Sequence, residues 1–413
     1  MRASSPVVPS AGIALAVAAL ACSTEPKASP PSSPGKPDGR ASGGREGSSG
    51  SSGGKGDGSA PANDAGPDGA TGASVAGALF AFVGSGDGKI RVYDVDAATG
   101  TLTFKKESSA GTNPSFLAFE PGRRRVVAVD EIEGMGRVRS FNFDPAPGGL
   151  TEIDSKPAGG AGTTHVALDP AGRWVFVANY TGGNMAVLPL APDGSLGAAS
   201  DTKASGAKSH WAGTNPSGTH VYVPALEANV IAQYVLDPAS GKLTGNGTVS
   251  LPAGAGPRHL AFHPGESWAY CINELAVTVT KLDLDKTSGK LTVKQTLSAL
   301  PAGQSARGAT GAEIVVHPSG KWVYASTRVY DSIAHFAVSG ADGTLTLVGN
   351  TPTGGSHPRS FGMSPEGTLL YAGNQNANRI VGFRIDAASG ALTTLGAPTV
   401  VTTPTFVGLA RMP

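Results

Sequence analysis

The segment His259-Leu260-Ala261-Phe262-His263-Pro264 decides the fold, because its pattern of apolar residues before a proline turn recurs along the chain. The equivalent prolines are Pro121, Pro170, Pro216, Pro264, Pro318 and Pro365, so the successive spacings are 49, 46, 48, 54 and 47 residues. A repeat of this length is typical of propeller blades and excludes the shorter solenoid repeats.

A second pattern follows each proline turn: a strand, a polar loop, another strand, and a turn ending in Gly-x-Leu. It occurs seven times, because residues 79–102 supply a copy that no proline turn precedes. Residues 405–410 match the first pattern without a second pattern after them. The sequence therefore predicts an all-β fold, a seven-bladed β-propeller closed by pairing the N-terminal strands with the C-terminal strand.

The N-terminus has the features of an export signal. Residues 11–21 form a short apolar run after Arg2, too short to span a bilayer, and Cys22 follows directly. A run ending at a cysteine resembles a bacterial lipoprotein signal, in which the cysteine is lipidated. We expect residues 1–22 to be a signal peptide of this type, with an ordinary secretory signal as the alternative. The protein is then exported to the cell envelope and meets the membrane only through a lipid anchor.

Residues 23–77 have a different composition from the rest of the chain. They are mostly Gly, Ser, Pro, Ala and Asp, and no aromatic residue precedes Phe80. Such a segment cannot bury enough apolar surface to offset the entropy of ordering it. We predict a disordered linker over residues 23–77 and the propeller domain over residues 78–413.

The sequence excludes several classes of function. The net charge of +1 argues against binding nucleic acid, which needs a basic surface. The sequence has no zinc-ligand spacing, no nucleophile elbow and no phosphate-binding loop before a helix. We therefore expect no metal and no cofactor. Cys271 lies in an apolar strand and is predicted to be a buried small residue.

The antiparallel strand order of a blade sorts the polar residues by rim. The start of the first strand and the end of the second lie at one end of the blade, and the proline turn lies at the other. His263 and His317 are in proline turns, so they are predicted to be turn residues on the opposite rim. Near the axis, the first rim gathers a varied polar set that includes His165, Asn179, His210, Arg258, His259, Glu274, Glu313, Arg328, Arg359, Asn374 and Gln375.

Two interpretations of this rim stay open. A single member such as His165 or Asn179 fits a contact that joins neighbouring blades as well as it fits a binding role. Three arginines and two carboxylates around a central cavity point more strongly to a ligand, because structural ion pairing alone gains little once desolvation is counted.

The segment from Gly256 to Pro264, followed by Ile272-Asn273-Glu274-Leu275, resembles the lactonase family of seven-bladed propellers. That family includes 6-phosphogluconolactonases and muconate cyclases. Further matches are Ala312-Glu313-Ile314, Pro358-Arg359-Ser360-Phe361 and the segment from Ala372 to Asn376, and the resemblance covers about residues 78–413.

The resemblance implies a catalytic site at His210, Arg258, Glu274 and Arg328. The same rim supplies candidate substrate-binding residues, namely His165, His259, Glu313, Arg359, Asn374 and Gln375. We expect a monomeric lactonase-like hydrolase that opens a small anionic sugar lactone, such as a 6-phosphogluconolactone. The alternatives are a cyclase-like lyase acting at the same rim and a non-catalytic cell-surface binding module.

Overall fold

The computed structural model describes residues 77–413. The predicted signal peptide, Cys22 and almost all of the predicted linker lie outside the described residues. Within residues 77–413 the chain forms seven antiparallel sheets of four strands each, which are the blades. The prediction of a seven-bladed all-β propeller is confirmed. No helix in this range is long and apolar enough to cross a membrane.

The four strands of each blade follow one another from the axis outward. Blade one comprises β4 (Leu117–Glu120), β5 (Arg125–Asp130), β6 (Met135–Asp144) and β7 (Gly149–Ala161), and blade two comprises β8 (Thr163–Leu168), β9 (Trp174–Asn179), β10 (Asn184–Pro189) and β11 (Asp201–Ala204). Blade three comprises β12 (Gly213–Thr214), β13 (His220–Ala225), β14 (Val230–Leu236) and β15 (Leu243–Ser250). Blade four comprises β16 (Pro257–Phe262), β17 (Trp268–Asn273), β18 (Thr278–Leu284) and β19 (Leu291–Ser298).

The remaining blades have the same order. Blade five comprises β20 (Thr310–Val316), β21 (Trp322–Arg328), β22 (Ser332–Val338) and β23 (Leu345–Pro352). Blade six comprises β24 (Pro358–Met363), β25 (Leu369–Asn374), β26 (Arg379–Ile385) and β27 (Leu392–Val400). Blade seven comprises β28 (Pro404–Met412), β1 (Ala78–Ser85), β2 (Lys89–Val95) and β3 (Leu102–Ser109). Two short 3-10 segments, Pro121–Arg123 and Gln375–Ala377, complete the assignment.

The ring closes in the seventh blade, where the two ends of the propeller sequence pair. Strand β28 is antiparallel to β1, from the pair Ala78 and Met412 to the pair Ser85 and Pro404. The C-terminal strand is thus the innermost strand of a blade whose other three strands come from the N-terminal side. The prediction drawn from the unmatched pattern at each end of the repeat is confirmed.

The Gly-x-Leu turns link neighbouring blades through hydrogen bonds. A buried tyrosine hydroxyl in the second strand of one blade donates to the glycine carbonyl of this turn in the next blade, at 2.6 to 2.9 Å. These glycines have φ between 67° and 75°, a conformation that other residues rarely adopt. The four pairs are Tyr222 with Gly289, Tyr270 with Gly343, Tyr324 with Gly390, and Tyr371 with Gly100.

The proline turns also bind one blade to the next. His263 Nε2 lies 3.2 Å from the carbonyl of Gly320, and His317 Nε2 lies 2.9 Å from that of Gly367. Both histidines are therefore turn residues, as predicted, and in addition they link blades. Cys271 is fully buried in β17, and burial raises the pKa of its thiol to about 12.

Candidate active site

One residue from each blade contributes to a layer that closes the propeller axis. In every blade it stands at the equivalent position at or just before the innermost strand, and all seven are at most 7% exposed. Rings from separate blades meet in this layer: the centroids of Phe116 and His165 are 4.1 Å apart, and those of Phe116 and His259 are 5.6 Å apart. The residues of this axial layer are Phe116, His165, Trp211, His259, Glu313, Ser360 and Phe406.

A β-bulge lies beside the axial layer in several blades. In blade four Pro257 pairs with Asn273 but His259 pairs with Ile272, so Arg258 is an extra residue in β16. Successive residues of a regular strand point to opposite faces, whereas a bulge redirects a side chain. Arg258 and His259 consequently both contact residues of neighbouring blades. The residues at the equivalent bulges of blades two and six are Thr164 and Arg359.

Glu274 lies between two arginines at the mouth of the axis. Its Oε2 is 3.0 Å from Arg258 Nε and 3.0 Å from Arg328 Nη2. The Arg258 Nε contact is an ion pair without hydrogen-bond alignment. The Arg258 side chain is 2% exposed, whereas that of Glu274 is 18% exposed. The carboxylate is therefore more exposed to solvent than the Arg258 guanidinium is.

Backbone carbonyls of blade five fix the two arginines. Arg258 Nη1 donates to the carbonyl of Ala312 at 2.6 Å, and Arg328 Nη2 donates to that of Gly311 at 2.8 Å. Burial, and then the charge of Arg328, lower the pKa of Arg258 to about 10, so the group stays charged at neutral pH. The cluster thus holds two arginines and one carboxylate in fixed contacts.

Three residues form a chain of contacts beneath this cluster. His259 Nδ1 is 2.8 Å from Glu313 Oε1, and His259 Nε2 is 3.2 Å from His210 Nδ1. Arg258 Nη1 also lies 3.2 Å from His259 Nε2, and an arginine can only donate. His259 Nε2 is therefore the acceptor of both contacts. It follows that Nδ1 carries the proton on both histidines, and that Nε2 of His210 holds a lone pair.

The electrostatics of the chain support these neutral imidazoles. Burial, followed by the charge of Arg258, holds the pKa of both His210 and His259 well below the usual range. Burial raises the pKa of Glu313 to about 7, against the opposing effect of Arg258. Glu313 Oε1 also accepts a hydrogen bond from the backbone amide of Ile314 at 3.1 Å. Both contacts fall on the same oxygen, Oε1, which orients the carboxyl group.

A second ion pair spans the rim between blades six and one. Arg359 Nη2 is 3.1 Å from Glu131 Oε2, and both side chains are partly exposed. The charge of Arg359 also contributes to lowering the pKa of Arg258, so the two guanidinium groups interact electrostatically. The structure therefore brings together Arg359 and the predicted catalytic residues. Glu131 belongs to this site as well, although sequence reasoning left it among the other rim positions.

The other predicted substrate-binding residues have different surroundings. His165 is fully buried in the axial layer, where its Nδ1 lies 3.4 Å from the amide of Ala212. Asn374 is buried and donates to the carbonyl of Thr353 at 3.1 Å, so its amide fixes the connection that leads from blade five to blade six. Gln375 begins a 3-10 segment and is partly buried. Substrate binding by these residues remains a prediction.

Two further residues that sequence reasoning did not select lie beside His210. The Tyr180 and His210 rings meet edge to face, with centroids 5.5 Å apart. Lys208 Nζ lies over the Tyr180 ring, 4.6 Å from its centroid. Tyr180 directly follows β9, and this position at the end of a second strand places it on the same rim as the candidate site.

The fold and this rim define a seven-bladed β-propeller with a charged site at one mouth of its axis. A family model described as "Lactonase, 7-bladed beta-propeller" matches residues 80–409, and the chain belongs to this family. It is 31% identical to the 6-phosphogluconolactonase of Bacillus subtilis over 283 residues, which are 66% of this chain and 80% of that protein. It is 35% identical to the 6-phosphogluconolactonase of Pectobacterium carotovorum over 269 residues, 64% of this chain and 79% of that protein.

Solved structures agree with the sequence comparison. The periplasmic gluconolactonase of Pseudomonas aeruginosa superposes with a TM-score of 0.75 at 29% identity, covering 81% of this chain and 100% of that chain. The resemblance of the chain to the lactonase family is thereby confirmed.

Proposed function

We propose that this protein is a lactone hydrolase that opens a small anionic sugar lactone at the rim containing Arg258, Glu274 and Arg328. The observation that carries the proposal is the fixed pairing of Glu274 with two buried arginines beside the neutral His210. The relatives named 6-phosphogluconolactonase and gluconolactonase support the same reaction class.

The charges of the rim favour an anionic substrate. Three arginines, Arg258, Arg328 and Arg359, face two carboxylates, Glu274 and Glu131. Glu313 beneath them has a pKa of about 7 and is only partly ionised at neutral pH, so positive charge is in excess. A concave site with an excess of one sign concentrates ligands of the opposite sign. Guanidinium groups also form strong, directional hydrogen bonds with carboxylate and phosphate oxygens.

His210 is the general base of the proposed reaction. Within residues 77–413 its Nε2 makes no hydrogen bond, and the tautomer with the proton on Nδ1 leaves a lone pair on that atom. Nε2 takes a proton from water as the water oxygen attacks the lactone carbonyl. The ring C–O bond then breaks, and the departing oxygen takes that proton back from His210.

The arginines stabilise the oxyanion that forms when water adds to the carbonyl. Preorganised donors of this kind commonly contribute a factor of about 10² to 10³ in kcat. Arg258 and Arg328 are preorganised because backbone carbonyls and Glu274 hold their guanidinium groups before any substrate arrives.

Export to the cell envelope is part of the proposal. It depends on the apolar run that ends at Cys22, and the periplasmic location in the name of the Pseudomonas gluconolactonase supports it. A lipid on Cys22, with residues 23–77 as a tether, would place the propeller at a membrane surface. An exported enzyme meets extracellular sugar lactones more often than cytoplasmic sugar phosphates.

Lactone hydrolysis by the purified protein tests the proposal. A pH-stat would follow phosphorylated and unphosphorylated sugar lactones and a muconolactone, beside an Arg258→Ala control. Turnover above the spontaneous rate that disappears in the control supports the enzyme. If a folded sample leaves every lactone intact, the hydrolase is wrong and a binding module takes its place. Turnover of the muconolactone alone would instead favour the lyase.

A further inference from the structure

One position of the repeat has a left-handed backbone in five of the seven blades. This position lies where the chain enters the innermost strand. It is two residues before the bulged residue of blades two, four and six, which is Thr164, Arg258 or Arg359. Two of the blades use glycine there, as expected for positive φ. The five residues, with their φ values, are Gly162 (63°), Lys208 (61°), Gly256 (67°), His357 (61°) and Thr403 (40°).

Lys208 is thus a side chain at a position where sister blades use glycine. A residue with a Cβ atom is disfavoured in this conformation, and such residues cluster at ligand sites, where the surrounding structure maintains them. Its backbone carbonyl accepts a hydrogen bond from the amide of Leu226 at 3.0 Å, which fixes the turn. The conformation determines where the lysine side chain begins, two residues before His210.

The Lys208 side chain lies over the ring of Tyr180, which is a neighbour of His210. Its ammonium group lies 4.6 Å from the centroid of Tyr180, a distance at which the ring attracts a cation. Tyr180 in turn meets His210 edge to face, and the charges of Glu274 and Arg258 both act on the pKa of its hydroxyl. The Tyr180 ring therefore lies between the Lys208 ammonium group and the proposed general base, His210.

Lys208 forms no ion pair within residues 77–413. Arg258 and Arg328 face Glu274, and Arg359 faces Glu131. Glu227, whose charge acts on the pKa of Tyr180, is exposed and does not come within ion-pair distance of Lys208. An ammonium group that is held in place and forms no ion pair is available to bind an anion from solution.

We propose that Lys208, held by Tyr180, is a subsite for the anionic group at the end of the substrate remote from the ester. This inference rests on the proposed lactonase and specifies its substrate class. The group is a phosphate or a carboxylate, since both offer the oxygen acceptors that an ammonium group binds. Lys208 is a binding residue, and Tyr180 positions it.

Replacing Lys208 by glycine tests the subsite with little risk to the fold, because Gly162 and Gly256 already occupy the equivalent position. The matched control is Thr403→Gly, which makes the same change in blade seven, where Thr403 contacts Asn378. We would measure kcat and KM of both variants with 6-phosphogluconolactone, a carboxylated sugar lactone and neutral gluconolactone. The phosphorylated and carboxylated substrates distinguish the two sources of charge.

We expect Lys208→Gly to raise KM for a charged lactone by about 10- to 100-fold, the usual weight of a charge-assisted hydrogen bond, and Thr403→Gly to behave like the parent protein. The preference for charged over neutral lactone should fall by the same factor in Lys208→Gly. An unchanged preference, or an equal loss in both variants, would overturn the subsite.

Binding measurements separate this inference from the lactonase proposal. Calorimetric titration with 6-phosphogluconate and with gluconate needs no turnover. If the parent protein hydrolyses nothing but binds 6-phosphogluconate more tightly than Lys208→Gly does, the subsite stands and the lactonase fails. If hydrolysis is present and the two proteins bind the acid equally, the subsite fails alone.

Discussion

His259 Nδ1 lies 2.8 Å from Glu313 Oε1, and the two residues come from consecutive blades of the propeller. The pair joins a neutral imidazole to a carboxyl group whose pKa burial raises to about 7. Nε2 of His259 accepts from Arg258, which can only donate, so Nδ1 of His259 carries the proton that faces Glu313 and His210 donates to Nε2 through its own Nδ1. Glu313 is therefore a positioning residue for the proposed base.

Glu313→Gln tests this positioning role. Glutamine keeps an oxygen to accept from His259 Nδ1, but its amide can also turn and offer N–H instead, which destabilises the required tautomer. A positioned general base contributes about 10²- to 10⁴-fold. The variant keeps His210 and disturbs only its tautomer, so we expect part of this contribution to be lost, a fall in kcat of about 10- to 100-fold with little change in KM. Steady-state kinetics measure both. A variant with the parent's kcat, or with a loss confined to KM, would contradict the role.

The same substitution predicts a change in the pH dependence of stability. Burial raises the Glu313 pKa from its ordinary 4.5 to about 7 in the folded chain. The folded state therefore loses stability as pH rises through this range, because the unfolded carboxyl group ionises first. Relative to Glu313→Gln, the unfolding free energy of the parent should decrease from pH about 5 to about 7. Urea unfolding measures it, and parallel curves for the two proteins would exclude the effect.

Arg258 and Arg125 form a matched pair of buried arginines. Arg258 donates to Ala312 of the next blade at the candidate site, whereas Arg125, which lies beside a proline turn, donates to Ala191 of the next blade. We expect Arg258→Ala to reduce kcat/KM by at least about 10²-fold, since it removes a donor to the oxyanion. Arg125→Ala should be destabilised and yet retain activity per folded molecule.

Activity corrected for the folded fraction, taken from circular dichroism, checks this prediction. Similar losses in the two variants would mean that Arg258 acts on folding and not on the reaction.

Tyr371→Phe tests the closure of the ring. The Tyr371 hydroxyl donates to the carbonyl of Gly100 at 2.8 Å, which joins blade six to the blade that contains both ends of the propeller. Removing it leaves a buried carbonyl without this donor, so we expect the unfolding free energy to fall by about 1 to 3 kcal/mol. Thermal and urea unfolding measure the change. Tyr324→Phe, which breaks the bond to Gly390, is the control within the ring and should lose a similar amount.

Cys22→Ser tests the proposed anchor. If Cys22 is lipidated, radioactive palmitate should label the parent protein in a bacterial host and the protein should fractionate with membranes. The variant should lose both properties while retaining lactonase activity, because the propeller does not include Cys22. Release of an unlabelled parent protein into the soluble envelope fraction would favour an ordinary secretory signal.

The sequence alone predicted the number of blades, the strand order within a blade and the closure of the ring. These features follow from a repeat of about 50 residues, in which the first and last units are complementary fragments of one blade. The sequence also placed Arg258, Glu274 and Arg328 on one rim, because the ends of antiparallel strands alternate between the two ends of a blade.

Only the tertiary structure decided which rim residues touch. A bulge at Arg258 turns two successive residues toward neighbouring blades, and strand alternation in the sequence cannot reveal a bulge. Contacts such as His259 with Glu313 join residues 54 positions apart, so they exist only once the blades are arranged around the axis. Lys208 had no distinguishing neighbour in the sequence, and its role depends on a backbone conformation and a ring contact that folding creates.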